Sequence, residues 1–199
     1  KLYYKYFVDK IYLRSYKMIN INTPLKAEDI SKLKTGDMVK LSGIIYTARD
    51  AAHKKIVELI ENGENLPFEL TGAVIYYVGP TPEKPDQIIG SAGPTTSGRM
   101  DSYSSLLMDN GLRGMIGKGA RNNEVKESIK KNKAVYFAAV GGAAALIAKS
   151  IKSSEIVAYE ELGTEAVRKL EVVDFPVIVI NDIYGNDLYE EGQKEYRSL

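Results

Sequence analysis

The chain has 199 residues, is 44% hydrophobic and carries a formal net charge of +1, which is enough for one full core and gives no strong electrostatic pull toward nucleic acid or an anionic membrane. It has no cysteine and a single histidine, His53. That excludes a disulfide framework, a thiol nucleophile, a Cys/His zinc site and an iron–sulfur cluster held by this chain alone, and leaves His53 as the one histidine for any Ser-His-Asp arrangement.

Residues 1–20 carry five of the 14 tyrosines, at positions 3, 4, 6, 12 and 16, and read as an N-terminal extension that packs on the body or on a partner. They lack the apolar stretch and small-residue cleavage site of a signal peptide. No apolar run in the chain approaches the roughly 20 residues that span a bilayer, so a soluble cytoplasmic protein is expected. From residue 21 to residue 199 the chain reads as one domain.

Residues 38–48, MVKLSGIIYTA, are β-branched and apolar enough for a strand. Asp50 then reads as an N-cap for a helix with Ala52, Ile56, Leu59 and Ile60 at helical spacing and Gly63 as its stop. AVIYYVG (73–79) is a buried-type strand, and IIGSAGPTTSGRMD runs from a short strand into a loop. A helix follows through SYSSLLMDNG, then a glycine loop around LRGMIGKGA, then a polar helix in NNEVKESIKKNK with an Asn cap. AVYFAAV is a strand and GGAAALIAKSIK a helix, while EIVAYEELG, EAVRKLEV and FPVIVIND complete the alternation. The last residues, YEEGQKEYRSL, read as a charged surface tail. The pattern is α/β with buried strands.

Four places could carry chemistry. In Ser91–Asp101, small residues allow close approach to the backbone, Thr95, Thr96 and Ser97 offer adjacent hydroxyls, and Thr96 or Ser97 could cap the next helix. Arg99 adds a planar fork for a carboxylate or phosphate; a capped helix after an ordinary loop is the bland alternative. Arg49 stands at a strand-to-helix junction, where α/β folds commonly place ligand groups, or is a solvated arginine beside a capping Asp50. Gly114–Gly119 places Lys118 between glycines but departs from the phosphate-loop pattern, with Leu112 at its first glycine and Gly119 at its hydroxyl, so a plain turn competes. Gly141-Gly142 lacks a dinucleotide fingerprint and reads as a tight turn. His53 reads as a surface histidine.

TARDAAH, GSAGPTTSGRMD, GMIGKG and VGGAAAL occur in this order and at the spacing of one family. Across roughly residues 21–185 the chain resembles the C-terminal domain, or separate β subunit, of class I fumarate hydratases, a domain that also occurs in L-tartrate dehydratase. The resemblance implies a swivelling-type β/β/α domain with a mixed sheet and flanking helices, which closes over a cluster-bearing domain. It implies reversible hydration of fumarate to (S)-malate, a reaction of the tricarboxylic acid cycle. A [4Fe–4S] cluster held by three cysteines of the α subunit would serve as Lewis acid, with no metal ligand in this chain. It further implies that Arg49, Thr95, Thr96, Ser97, Gly98, Arg99 and Lys118 surround the dicarboxylate. Thr95 would be the base for the C3 proton, assisted by a carboxylate from the cluster domain, since a threonine hydroxyl alone is too weak a base at neutral pH.

Three readings of function follow. The chain is a fumarate hydratase β subunit, inactive without its partner and forming a homodimer alone and an α2β2 assembly with it; or it serves tartrate or another hydroxy-dicarboxylate; or it is a non-catalytic dicarboxylate-binding module.

Overall fold

The structure is a computed structural model and describes residues 18–83, 85, 87–139 and 144–197. Most of the expected extension (1–20) and the Gly141-Gly142 turn therefore lie outside the described residues.

Alternation of side chains along short apolar segments produces the strands. In chain order the elements are β1 (Ile19–Asn22), α1 (Ala27–Ile30), β2 (Met38–Thr47), α2 (Asp50–Glu61), β3 (Val74–Tyr76), a 3-10 turn (Ser97–Met100), α3 (Asp101–Asp109), β4 (Gly114–Gly117), α4 (Asn123–Asn132), β5 (Val135–Ala139), α5 (Ala144–Ser150), β6 (Ile151–Ala158), a second 3-10 segment (Glu160–Glu165), β7 (Val167–Asn181) and α6 (Leu188–Arg197). The strands form one sheet in the order β1-β2-β3-β4-β5-β7-β6, and β2 also pairs with β7, so that β2, β3, β4, β5 and β7 close into a barrel. β2, β3, β4 and β5 run parallel in succession, and β7 is antiparallel to β2, β5 and β6. The chain is thus a mixed α/β domain.

The two-residue period of the strands divides the core in two. Val74, Tyr76 and Val78 fall in a cluster with Ile45, Ile116, Phe137, Leu170, Phe175 and Val177 that fills the barrel. Ile75, Tyr77, Met115 and Tyr136 fall in a second cluster, with Ala52 and Ile56 of α2, Leu107 and Met108 of α3, and Val125 and Ile129 of α4. The helices therefore cover the outer face of the parallel strands. Each large side chain buried in this way contributes roughly 1.5–3 kcal/mol.

Several expectations from sequence change. GMIG forms β4, buried throughout and paired with β3 and β5; its glycines allow close packing where a glycine loop was expected. IIG (88–90) forms bends in place of a short strand. EAVRKLEV and FPVIVIND are one 15-residue strand, long enough to pair with β2 along one side and with β6 and then β5 along the other. The charged C-terminal stretch is the helix α6, started by Asp187, whose carboxylate accepts from the backbone N–H groups of Tyr189 (2.9 Å) and Glu190 (3.4 Å).

Candidate active site at the carboxyl ends of the parallel strands

Three parallel strands deliver the sequence candidates to one end of the barrel. Arg49 follows β2, Thr95–Arg99 is tied to the end of β3, and Lys118 follows β4. The backbone N–H of Thr95 donates to Tyr77 O (2.8 Å), just past β3. Thr96 and Lys118 pair as an isolated parallel bridge, and Ser97 N–H donates to Lys118 O (2.9 Å). The carboxyl edge of parallel strands is where open α/β sheets bind ligands.

Arg49 and Arg99, 50 residues apart in the chain, meet through carboxylates. Arg99 Nε donates to Asp50 Oδ1 (2.9 Å), and Arg49 Nη2 lies 3.7 Å from Asp50 Oδ2 and 3.3 Å from Glu165 Oε1. Glu165 also accepts from the backbone N–H of Ala51 (3.0 Å), satisfying a donor of the first turn of α2. Asp50 is accordingly the first residue of α2 and makes no cap hydrogen bond; the residue in the cap position is Arg49. Arg99 holds the Asp50 carboxylate through a charge-assisted hydrogen bond, stronger than one to a neutral amide, while Arg49 acts on Oδ2 as a nearby charge beyond hydrogen-bond distance. Gly79 lets Arg49 pass: a Cβ there would stand 3.1 Å from both Cδ and Nη1 of Arg49 and 2.9 Å from Thr164 O. Lys118 is exposed and makes no ion pair with a described residue. Arg49, Arg99 and Lys118 against Asp50 and Glu165 leave one positive charge in excess on this rim.

The hydroxyls differ in placement. Thr96 is exposed and Thr95 half-buried, whereas Ser97 is fully buried. Ser97 Oγ accepts from Lys118 N–H (3.1 Å) and lies 2.9 Å from the Tyr136 hydroxyl. Neither Thr96 nor Ser97 caps a helix with its side chain; the 3-10 turn and α3 both start without a side-chain cap. Gly98 is exposed, and a Cβ there would have its nearest atom, Ala120 O, at 4.0 Å.

Two buried groups lie beneath the rim. His53, expected at the surface, is fully buried between Tyr77 (5.3 Å, edge-on) and Tyr103 (5.9 Å). Its spacing with Ile56 puts it on the core face of α2. Nδ1 lies 2.9 Å from Arg49 O; a carbonyl can only accept, so Nδ1 carries the hydrogen. Nε2 is buried without a hydrogen-bond partner. Burial drives the imidazole pKa down to about 4, helped by the nearby Arg121 charge and opposed by the Arg49 carbonyl and Asp50. His53 is therefore neutral at physiological pH.

Arg121, with a fully buried side chain, is the second. Nε donates to Asp101 Oδ1 (2.6 Å), Nη2 to Ser104 Oγ (2.6 Å) and Nη1 to the Tyr77 hydroxyl (3.4 Å). Its guanidinium lies 5.4 Å from the Tyr77 ring centroid and 5.0 Å from that of Tyr136. Asp101 also accepts from Asn122 N–H (2.8 Å), so this ion pair joins the start of α3 to the start of α4.

Sequence reading missed Glu165, Tyr136, Gly79 and Arg121, because each acts on a group far away in the chain. The donor set does not fit an iron–sulfur cluster: the sequence has no cysteine, and among the described residues no group of three or more His, Asp or Glu is placed to hold a metal ion. No helix among the described residues is long and apolar enough to cross a membrane.

Comparison with known proteins places the chain in a family. A family model described as "Fumarase C-terminus" matches residues 5–192. The chain is 44% identical over 182 residues to a Methanocaldococcus jannaschii protein named "Putative L(+)-tartrate dehydratase subunit beta", covering 88% of this chain and 93% of that protein. It is 41% identical over 179 residues to the aerobic class I fumarate hydratase of Escherichia coli, covering 88% of this chain and 33% of that enzyme. It is 43% identical over 166 residues to fumarate hydratase 2 of Leishmania major, covering 82% of this chain and 29% of that enzyme. The chain thus spans nearly all of the first relative and about a third of each fumarate hydratase. With the match running over almost the whole sequence and spanning all four motifs, and with class I fumarate hydratases among the relatives of more than 40% identity, the chain belongs to the Fumarase C-terminus family.

Proposed function

We propose that this chain is the β subunit of a [4Fe–4S]-dependent fumarate hydratase that interconverts fumarate and (S)-malate, with the cluster on a cysteine-bearing α subunit. The observation that carries the reading is the convergence of Arg49, Arg99 and Lys118 beside the Thr95–Gly98 loop at the strand ends. Three cations from three chain segments suit a ligand with two carboxylates. Charge-assisted hydrogen bonds of this kind contribute about 1.5–3 kcal/mol each.

In this reading Arg49, Arg99 and Lys118 share the two substrate carboxylates, and Thr96, Ser97 and Gly98 line the loop that closes on them. Arg99 binds Asp50 through Nε, which leaves its two terminal nitrogens for a substrate carboxylate. Loss of the C3 proton from malate builds negative charge on the adjacent carboxylate. Fixed cations held in a closed site stabilise that charge without reorganising. Thr95 takes the C3 proton as the water leaves from C2. Its hydroxyl has no carboxylate partner among the described residues, so the assisting carboxylate is assigned to the α subunit. The barrel is the swivelling-type domain that closes over the α subunit. The chain is cytoplasmic, a homodimer alone and half of an α2β2 assembly, and inactive without its partner.

A second reading, L-tartrate dehydration, draws support from the relative matched nearly end to end. Tartrate offers the same two carboxylates to the same three cations. A substrate panel with the assembled pair under anaerobic conditions separates the two: turnover of fumarate and malate far above tartrate supports the first, and the reverse order supports the second. Dicarboxylate binding by this chain alone, with no activity gained from the partner, would make it a binding module and overturn both.

A further inference from the structure

The grip on the substrate depends on where the Lys118–Gly119 peptide and the Thr95–Arg99 loop stand relative to each other. They come from different strands, β4 and β3, and meet at one backbone bridge. The two loops are joined beneath that bridge by a chain of hydrogen bonds whose direction can be worked out. The Tyr136 hydroxyl lies 2.8 Å from Gly119 O and 2.9 Å from Ser97 Oγ. A tyrosine has one hydroxyl hydrogen, and a carbonyl oxygen can only accept. The hydrogen of Tyr136 therefore goes to Gly119 O, and Ser97 donates to the Tyr136 oxygen. Ser97 in turn accepts from Lys118 N–H (3.1 Å). The series Lys118 N–H, Ser97 O–H, Tyr136 O–H, Gly119 C=O is a closed loop that starts and ends on the Lys118–Gly119 segment.

Every part of this loop is enforced from outside. Tyr136 and Ser97 are fully buried, so water does not compete for their hydroxyls. Burial raises the Tyr136 hydroxyl above its ordinary value, which keeps it protonated and a donor. The Arg121 guanidinium stacks on the Tyr136 ring and is pinned by Asp101, which fixes the ring beneath the two loops. Gly117 leaves the space Ser97 occupies: a Cβ there would stand 1.9 Å from Ser97 Oγ.

We propose that Tyr136 is a positioning residue for the substrate cation Lys118, acting through Ser97 and the Gly119 carbonyl without touching substrate. This rests on the assignment of Lys118 to a substrate carboxylate. The buried hydroxyl of Ser97 then belongs to the lock, and its contribution to the grip is to hold the Lys118 backbone in register with Thr96.

The test uses the assembled pair with its cluster intact. Tyr136→Phe keeps the ring and its stacking on Arg121 and removes one neutral hydrogen-bonding group, so kcat/KM is expected to fall about tenfold, most of it in KM. Binding of succinate, an unreactive dicarboxylate, should weaken by a similar factor. A group that merely supports the fold would lower the melting temperature and leave KM alone. The decisive variant is Tyr136→Phe placed in a Lys118→Met background, where the positioning role predicts no further rise in KM because the group being positioned is gone. Ser97→Ala provides a second entry into the same chain and should raise KM without adding to Tyr136→Phe. An unchanged KM in Tyr136→Phe, or a full additional effect in the Lys118→Met background, overturns the inference while leaving the hydro-lyase reading in place. If the wild-type pair neither turns over nor binds any dicarboxylate, the functional reading fails and the inference falls with it.

Discussion

Replacing His53 with leucine should flatten the dependence of stability on pH. The wild-type imidazole is neutral and fully buried, with its pKa lowered to about 4, first by burial and then by the Arg121 charge. In the unfolded chain it returns to about 6.5. Between these values the unfolded state binds a proton that the folded state refuses, so protonation favours unfolding. The His53 contribution is fully present above about pH 6.5, is lost as pH falls toward about 4, and stays lost below that. The proton would have to enter at Nε2, which has no acceptor within reach, beside a buried arginine. The shift corresponds to roughly 3 kcal/mol across the window, as an order of magnitude. The assay is urea unfolding at half-unit steps from pH 7.5 to about 4. His53→Leu should have a lower midpoint at pH 7, having lost the bond to Arg49 O, and a shallower decline between about pH 6.5 and 4. Parallel curves for the two proteins would refute the placement of a neutral imidazole, with Nε2 unpartnered, on the core face of α2.

Two further substitutions probe the layers above and beside that histidine. Arg121→Met leaves the Asp101 carboxylate buried without its partner, which should cost about 3–5 kcal/mol in a denaturant melt; adding Asp101→Leu should recover part of the loss, and no recovery would mean that the pair is not the source of the cost. Gly79→Ala puts a methyl group 3.1 Å from Arg49 Nη1 and 2.9 Å from Thr164 O, so KM for a dicarboxylate should rise about tenfold or more, and the melting temperature should fall as well because the Thr164 backbone must shift. An unchanged KM would show that Arg49 does not need its present position.

Much of the architecture was legible from local pattern. The strand at 38–47, the helix after it, the strand at 135–139 and the Asn-capped helix beginning at residue 123 stand where residue spacing put them; Asn122 Oδ1 accepts from Val125 N–H at 2.8 Å. The failures have physical causes. GMIG looks like a loop because glycine is poor in isolated strands, yet β4 runs where the side chains of Ser97 and Tyr77 leave no room for a Cβ at Gly117. The closure of β2 on β7 is a contact across more than 120 residues that no local period encodes. The C-terminal helix did carry a signal, Asp187 ahead of Leu188 and Tyr189, which the density of charge obscured. At the site, the arginines, the lysine and the hydroxyl loop were readable as chemistry. The carboxylates that hold the arginines were not, because Glu165 reaches Arg49 from a segment 116 positions later in the chain. Asp50 was visible but misread, since a capping role and an ion-pairing role look alike in sequence.

The claim that matters most is that the active site is split between this chain and a cluster-bearing partner, with Thr95 as the base. It is tested by anaerobic fumarate consumption with this chain alone, with the partner added, and with a Thr95→Ala version of the pair. A split site with Thr95 as base predicts no turnover by the single chain, turnover by the pair, and a collapse of kcat in the Thr95→Ala pair with its cluster intact. Turnover by this chain alone would contradict the split site, and full activity in the Thr95→Ala pair would remove Thr95 from the role of base.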